Sequence, residues 1–430
     1  MRKLYFMQWA IAVLFVTGCS KDSTDPEIDD PIGGEDPIEN PSPSDGRIVS
    51  GDPKLNTFLI TSEDEKLYTV DIQTGLEQEI YEFENLTDIE IMAEYDNGKV
   101  FVTTDDNSVN ALDPFGKRFL WDTPMLEYDF SSLGLTEPVC INEVCYASGG
   151  TGVVVALDEN TGAVKWYYSS DPDGELDSVL NENDTPIVHG DKVYIFSDEG
   201  FISDLLPYMH VLDKNTGELL QKLELPFETT GTPVFQGNIL YLPAKNLYAI
   251  DVETLEVKWA FAADAVGTPS VLNGKIALQA NPVDDSISSR LYCLDAETGN
   301  LQWQVDTGFD NLWSPLIIEN VVFGIYDEAS AIAFARRGTP FAVSLEKGEP
   351  LWYRDELAVD QSPVYANGRL IFHGHDVLKT GDTDKDVGLL CLDANSGEVI
   401  WINNTFRFNS IVPLVVAENG VFGPSYYRGN

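Results

Sequence analysis

The chain has 430 residues, of which 43% are hydrophobic, enough to bury a sizeable core. Acids outnumber bases 71 to 26, giving a formal net charge of −45. A surface of that sign repels nucleic acid and anionic lipid, which excludes both as partners; it suits cationic partners or divalent ions, and its simplest use is solubility.

In chain order, the first element is an export signal. Arg2 and Lys3 give a positive start, Leu4 to Val16 is apolar apart from Gln8, and Thr17-Gly18 closes the segment with small residues. The apolar run is too short to span a membrane and has the layout of a cleavable signal peptide over residues 1–18. Val16-Thr17-Gly18-Cys19 has the form of a lipobox, in which Cys19 is lipidated and becomes the new N-terminus. Membrane attachment would then be through the lipid anchor only. Residues 19–51 form an acidic tether, with nine acids from Asp22 to Asp45 and prolines at 26, 31, 37, 41 and 43. With almost nothing to bury, it is expected to be extended and disordered. Its start, Ser20-Lys21-Asp22, resembles the surface-export signal of lipoproteins in Bacteroidetes-type bacteria. That favours the cell surface over the periplasmic side of the outer membrane.

From residue 52 to residue 430 the chain repeats itself. The clearest copies are Leu67-Tyr-Thr-Val-Asp71-Ile-Gln-Thr-Gly75, Val154-Val-Ala-Leu-Asp158-Glu-Asn-Thr-Gly162, Leu291-Tyr-Cys-Leu-Asp295-Ala-Glu-Thr-Gly299 and Leu390-Cys-Leu-Asp393-Ala-Asn-Ser-Gly397. Further copies end on Asp113, Asp213, Asp251 and Ser344. Eight residues after that position stands Trp121, Trp166, Trp259, Trp303, Trp352 or Trp401, with Glu79 and Gln221 in the first and fourth copies. Alternating apolar residues before the Asp predict a strand, Asp-x-x-Thr-Gly predicts a turn with a positive φ at Gly, and the next strand carries the Trp to a neighbouring unit. Two more strands lie upstream, as in Thr268-Pro-Ser-Val-Leu-Asn-Gly-Lys-Ile-Ala277. Four strands per unit, eight times over, predict an all-β, eight-bladed β-propeller whose ring is closed by strands from both ends. Both ends offer a candidate second strand for the closing blade, so the pairing there stays open.

Cys140 and Cys145 flank a tight turn, where they either form a cross-strand disulfide or remain thiols; Cys293 and Cys391 read as buried small hydrophobes. The loops between second and third strands are long in blades four, six, seven and eight, and all open on the face that carries the links between blades. Long loops on a rigid scaffold are the natural place for binding. His373 and His375 point to one side of a strand, next to Asp376, and the loop beyond them carries Asp382, Asp384 and Asp386. Imidazole pairs suit zinc or copper and alternating carboxylates suit calcium, although Gly388 at position seven and the missing glutamate at twelve rule out a calcium-hand loop. These six are candidate metal ligands, against a solvated acidic loop. Arg336 and Arg337 form a rare basic pair, and Trp313 lies off the repeat position in the link into blade seven. The three are candidate partner or ligand contacts, against plain charge balance and packing.

The repeat Leu-Tyr-Ala-Leu-Asp-x-x-Thr-Gly-x-x-x-Trp resembles that of the pyrroloquinoline-quinone (PQQ) family of propellers. The family includes PQQ-dependent alcohol dehydrogenases, the propeller lipoprotein of the outer-membrane β-barrel assembly machine, and sensor domains of some kinases. For the dehydrogenases, the resemblance implies a quinone stacked beside a disulfide of adjacent cysteines and a calcium ion near a catalytic Asp. Here Cys140 and Cys145 are five apart and a haem-attachment motif is absent. The expectation is therefore a monomeric, non-enzymatic, lipid-anchored scaffold that binds a protein partner at the outer membrane, with no cofactor unless the acidic loop takes calcium or another divalent metal. The alternatives are a surface glycan- or ligand-binding accessory lipoprotein and a calcium-dependent, dehydrogenase-like quinone binder.

Overall fold

The computed structural model describes residues 58–429 except 64–65, 84–91, 105–106, 126–135, 137, 150–151, 172–184, 200–205, 227, 284–287, 310–311, 328–337, 375–387, 407–413, 418–419 and 424–425. The signal segment, Cys19 and the tether lie outside the described residues. All the regular elements described are strands, and they form an eight-bladed β-propeller of antiparallel blades.

Blade two shows the plan, with Met92–Asp96 innermost, then Lys99–Thr104, Ser108–Asp113 and Arg118–Pro124 outermost. The second and third strands are buried almost throughout because both their faces lie against neighbouring blades, whereas the outermost strand is largely exposed. In seven blades the outermost strand bulges at the residue just before the Trp position, as between Trp121, opposite Ala111, and Phe119, opposite Leu112. A bulge increases local twist and re-aims the residue beside it.

In six of the seven that residue is the tryptophan, and in blade four it is Gln221. Each of the six indole Nε1 groups donates to the carbonyl of the residue after the motif Asp (or Ser344) in the next blade, at 2.8–3.2 Å. Each ring lies over the Gly of that same turn. A Cβ at Gly75, Gly162, Gly217, Gly299, Gly348 or Gly397 would stand 2.5–2.8 Å from ring atoms, and all six glycines have φ near +70°. The two junctions without tryptophan confirm the logic. After Glu79 and Gln221, the Gly position of the next turn is taken by Lys117 (φ 49°) and Leu255 (φ 57°). With no indole to receive, the turn accepts a side chain, and Lys117 Nζ donates to the Glu79 carbonyl at 2.8 Å instead.

The turns themselves are held by their aspartates. Asp213 Oδ1 accepts from the backbone N–H groups of Asn215 and Thr216 and from the Thr216 hydroxyl, at 2.9–3.0 Å. The Thr216 side-chain and backbone bonds, with that from Asn215, hold the Asp213 carboxyl below its ordinary range.

The ends of the chain settle the closing blade. Phe58–Glu63 takes the second place and Leu414–Ala417 the innermost, with Leu59 opposite Val415. Trp401 Nε1 donates to the Ile72 carbonyl, and Asn403 Nδ2 reaches the Gly75 carbonyl and Glu77 Oε2, both at 2.7 Å. The last blade is thus locked to the first.

Gly397→Ala places a methyl against the Trp352 ring, whereas Gly98→Ala, at φ +78°, meets nothing within 4 Å. Both bear the strain of a left-handed alanine, but only the first also overpacks the junction. Gly397→Ala is therefore expected to be less stable than Gly98→Ala by ~1–3 kcal/mol, measured by urea unfolding.

Candidate functional site

Strand order places the links between blades and the second-to-third loops on one face of the ring, and the motif turns on the other. The four long loops leave the scaffold after Glu199, Asn281, Asp327 and Gly374, and return at Leu206, Ser288, Gly338 and Gly388. Arg336, Arg337, His375, Asp376, Asp382, Asp384 and Asp386 lie in these loops, outside the described residues. Their feet are described, and they are tightly built.

Blade seven's loop returns at Gly338, which exchanges backbone hydrogen bonds with Val359 of the next link at 2.8 Å. A Cβ on Gly338 would collide with Ile325. Blade eight's loop is bracketed by two glycines under the same constraint. A Cβ on Gly374 would strike the Ala358 carbonyl, and one on Gly388 (φ +148°) the Asn403 carbonyl. A close neighbour explains why glycine stands at all three positions, the Ile325 side chain at Gly338 and backbone carbonyls at Gly374 and Gly388.

His373 sits at this foot, 4% exposed. Its Nδ1 is 2.9 Å from Asp360 Oδ1 and its Nε2 3.3 Å from the Phe406 carbonyl, while the Asp360 N–H donates to the His373 carbonyl at 3.0 Å. Both ring nitrogens are employed in tying two links to blade eight, so a metal would have to displace one of them. Among the described residues, no three His, Cys, Asp or Glu side chains gather as a metal site. Trp313 is 9% exposed and belongs to the apolar cluster that includes Leu316, Ile325, Val359 and Val364, with its Nε1 unpaired. Its ring is a wall between blades, not an open stacking platform.

The foot of blade four's loop holds a network that sequence reasoning missed. His210, fully buried, places Nε2 2.7 Å from Glu199 Oε1 and 3.1 Å from Ser197 Oγ, and Nδ1 2.8 Å from the Tyr168 hydroxyl of blade three. Lys222 bonds Glu199 Oε2 and lies 4.2 Å from the centroid of the Tyr208 ring. Burial pushes the Glu199 carboxyl up, but hydrogen bonds from His210 and Lys222, together with their charge, outweigh it and leave the group below its ordinary range. Burial, reinforced by the Glu199 charge, drives the Tyr168 phenol up to about 12. The available signal was Ser197-x-Glu199 at the end of a strand with His210 at matching alternation in the next.

On the opposite face, Cys140 and Cys145 are joined by a disulfide across the turn at Asn142 and Glu143, both with positive φ. Cys293 and Cys391 are free and buried, and burial lifts their thiols to about 11 and about 12.

The profile of the PQQ-repeat family described as outer membrane protein assembly factor BamB matches residues 63–305 and 208–422. The chain belongs to this family. Over 280 residues it is 22% identical to the BamB of Yersinia pestis, covering 60% of this chain and 63% of that one. Over 215 residues it is 30% identical to a polyvinylalcohol dehydrogenase of a Pseudomonas species, covering 44% of this chain and 32% of that one. The crystal structure of BamB from Moraxella catarrhalis shares the fold, with a TM-score of 0.53 and 15% identity over 76% of this chain and 92% of that one. The chain spans between 32% and 63% of the length of the curated relatives it matches.

A carboxyl held below its unfolded value contributes stability above the ordinary carboxylate range and loses it as pH falls through the lowered value. Glu199→Gln is expected to cost about 3 kcal/mol at pH 7, the low end for breaking a buried pair because Lys222 keeps some access to water. The difference from the parent protein shrinks on acidification, as urea midpoints across pH 7 to 3 will show.

Proposed function

We propose that the protein is a non-enzymatic, lipid-anchored scaffold that holds a protein partner at the outer membrane. The family match carries this reading, since it covers nearly the whole ring. The build of one face supports it. Four long loops emerge there, those of blades four, seven and eight from feet pinned by glycines, a histidine bridge and a buried charge network, which is how a rigid frame presents variable contact surface. The net charge of −45 favours a partner with a basic contact surface. Arg336 and Arg337 in the blade-seven loop add a local exception that would meet a carboxylate.

The resemblance to dehydrogenases raises a bound quinone and calcium. The residues present do not fit that group. The disulfide of this chain joins cysteines five apart, and it lies in the turn between an innermost and a second strand, on the face opposite the links and long loops. Cys140 and Cys145 are 2% and 0% exposed, within the apolar cluster between blades two and three, so they offer no surface for a flat ring to stack on. No redox step is derived from them.

A photo-crosslinking residue placed at Ala331 or Lys379, in the loops of blades seven and eight, is expected to capture a discrete protein partner in intact cells. The same residue at Asn395, in a motif turn of the opposite face, is expected to capture none. Equal capture from both faces, or recovery of the protein alone from every position, would overturn the proposal. Protease added to intact cells decides the leaflet, because only a surface-exposed form is cleaved.

A further inference from the structure

Five blades are separate four-stranded sheets and blades six and seven are joined in one sheet of nine strands, but the sheet that closes the ring has six. Their order is Glu77–Glu82, Lys66–Asp71, Phe58–Glu63, Leu414–Ala417, Gly420–Gly423 and Tyr426–Gly429. Leu414–Ala417 is the innermost strand of that blade. It lies beside the innermost strands of both neighbours, Met92–Asp96 of blade two and Val364–Ala366 of blade eight. In every other blade the inner edge of the innermost strand faces the axis of the ring. Here that edge is hydrogen-bonded to Gly420–Gly423, with Val415 opposite Phe422, and Gly420–Gly423 is bonded in turn to Tyr426–Gly429, with Phe422 opposite Tyr427. Anything paired to that edge stands inside the circle of innermost strands, where a propeller has its channel.

We propose that the paired strands Gly420–Gly423 and Tyr426–Gly429 are a built-in plug that occupies the axial channel. Two added strands at the usual spacing advance about 10 Å from the inner edge of blade one toward the axis. Gly420–Gly423 also lies beside Val364–Ala366, so the hairpin turns toward blade eight within the ring and not out of it. The consequence is chemical. A ligand that enters a propeller along its axis finds the site taken by the chain's own backbone, and contacts with other molecules are confined to the loops and outer strands. The inference concerns the channel and holds whether or not the partner reading does.

Two measurements on the full-length protein test it. In hydrogen exchange, the amides of 420–423 that pair within the hairpin are expected to exchange at least about 100-fold more slowly than in an unstructured peptide. Ending the chain at residue 417 keeps Leu414–Ala417 and the Trp401 lock but frees the inner edge, so amides of 414–417 directed to that edge lose protection. Exchange of 420–429 at the unstructured rate in the intact protein would overturn the proposal. Location is tested by the double variant Ala366→Cys and Val421→Cys. A short bis-maleimide is expected to join the two within one molecule, while Cys293 and Cys391 stay buried and unreactive. Labelling of both introduced thiols without an internal link would place the hairpin outside the channel and overturn it equally.

Discussion

The contact on which the ring depends is the seat of a tryptophan on a glycine of the next blade. It combines three demands on neighbouring residues. The indole needs an acceptor for its N–H, which the carbonyl after the motif Asp supplies. The ring needs a flat surface, which a turn without a Cβ supplies. The turn needs a positive φ, which glycine meets without strain. One residue type answers the last two demands, so the Gly of the repeat belongs as much to the previous blade as to its own turn. This reciprocity makes a one-dimensional repeat into a closed ring, because the lock from Trp401 to Ile72 and Gly75 is the same contact made between the two ends of the chain.

Given that frame, the functional face could diverge without endangering the fold. The locks lie near the motif turns, on the face away from the long loops. What the loop face needs is that each insertion leave the scaffold without loosening it, and the feet show several solutions. Blade eight uses glycines that let backbones touch, with His373 as a bridge between links. Blade four uses a fully paired charge network instead, in which His210, Glu199, Lys222, Ser197 and Tyr168 leave few lone pairs or protons unanswered. A buried charge is tolerable only in such company.

The repeat, the blade count and the role of the tryptophans were legible because they recur at fixed spacing, and eight copies average out local accident. Closure was only half legible. Residues 58–63 and 420–423 both carry the pattern of a second strand, and nothing local separates them; the pairing is decided by which one can reach Leu414–Ala417 while staying joined to Lys66–Asp71. Trp313 and His373 mark the harder limit. From the sequence, an off-repeat aromatic and a histidine beside a polar loop leave exposed chemistry and plain packing both open. In the fold, Trp313 fills a gap between blades and both nitrogens of His373 are taken by Asp360 and Phe406, partners 13 and 33 residues away that no local pattern names. The reverse case was available but unread. Lys117 and Leu255 replace glycine only where Glu79 and Gln221 replace tryptophan, a correlation across blades that the linear motif hides.

The same correlation bears on how the ring yields under stress. Six junctions have an indole wedged over a bare turn, and two do not. The junction between blades one and two relies on the Lys117 bond to the Glu79 carbonyl and on a cluster of Tyr81, Phe83 and Phe119. That between blades four and five relies on apolar packing of Phe196, Met209 and Val211 against Phe235, Tyr248 and Ile250. Side chains that merely pack lose less on a small displacement than an indole that must keep both a hydrogen bond and a flush contact, so these two seams have more freedom to shear. They divide the ring into an arc of three blades, two to four, and an arc of five that holds the chain closure and the loops of blades six, seven and eight. Every junction inside either arc is locked by an indole, and three of the four long loops share the larger arc, so a surface that must present several loops in fixed relation is best served there.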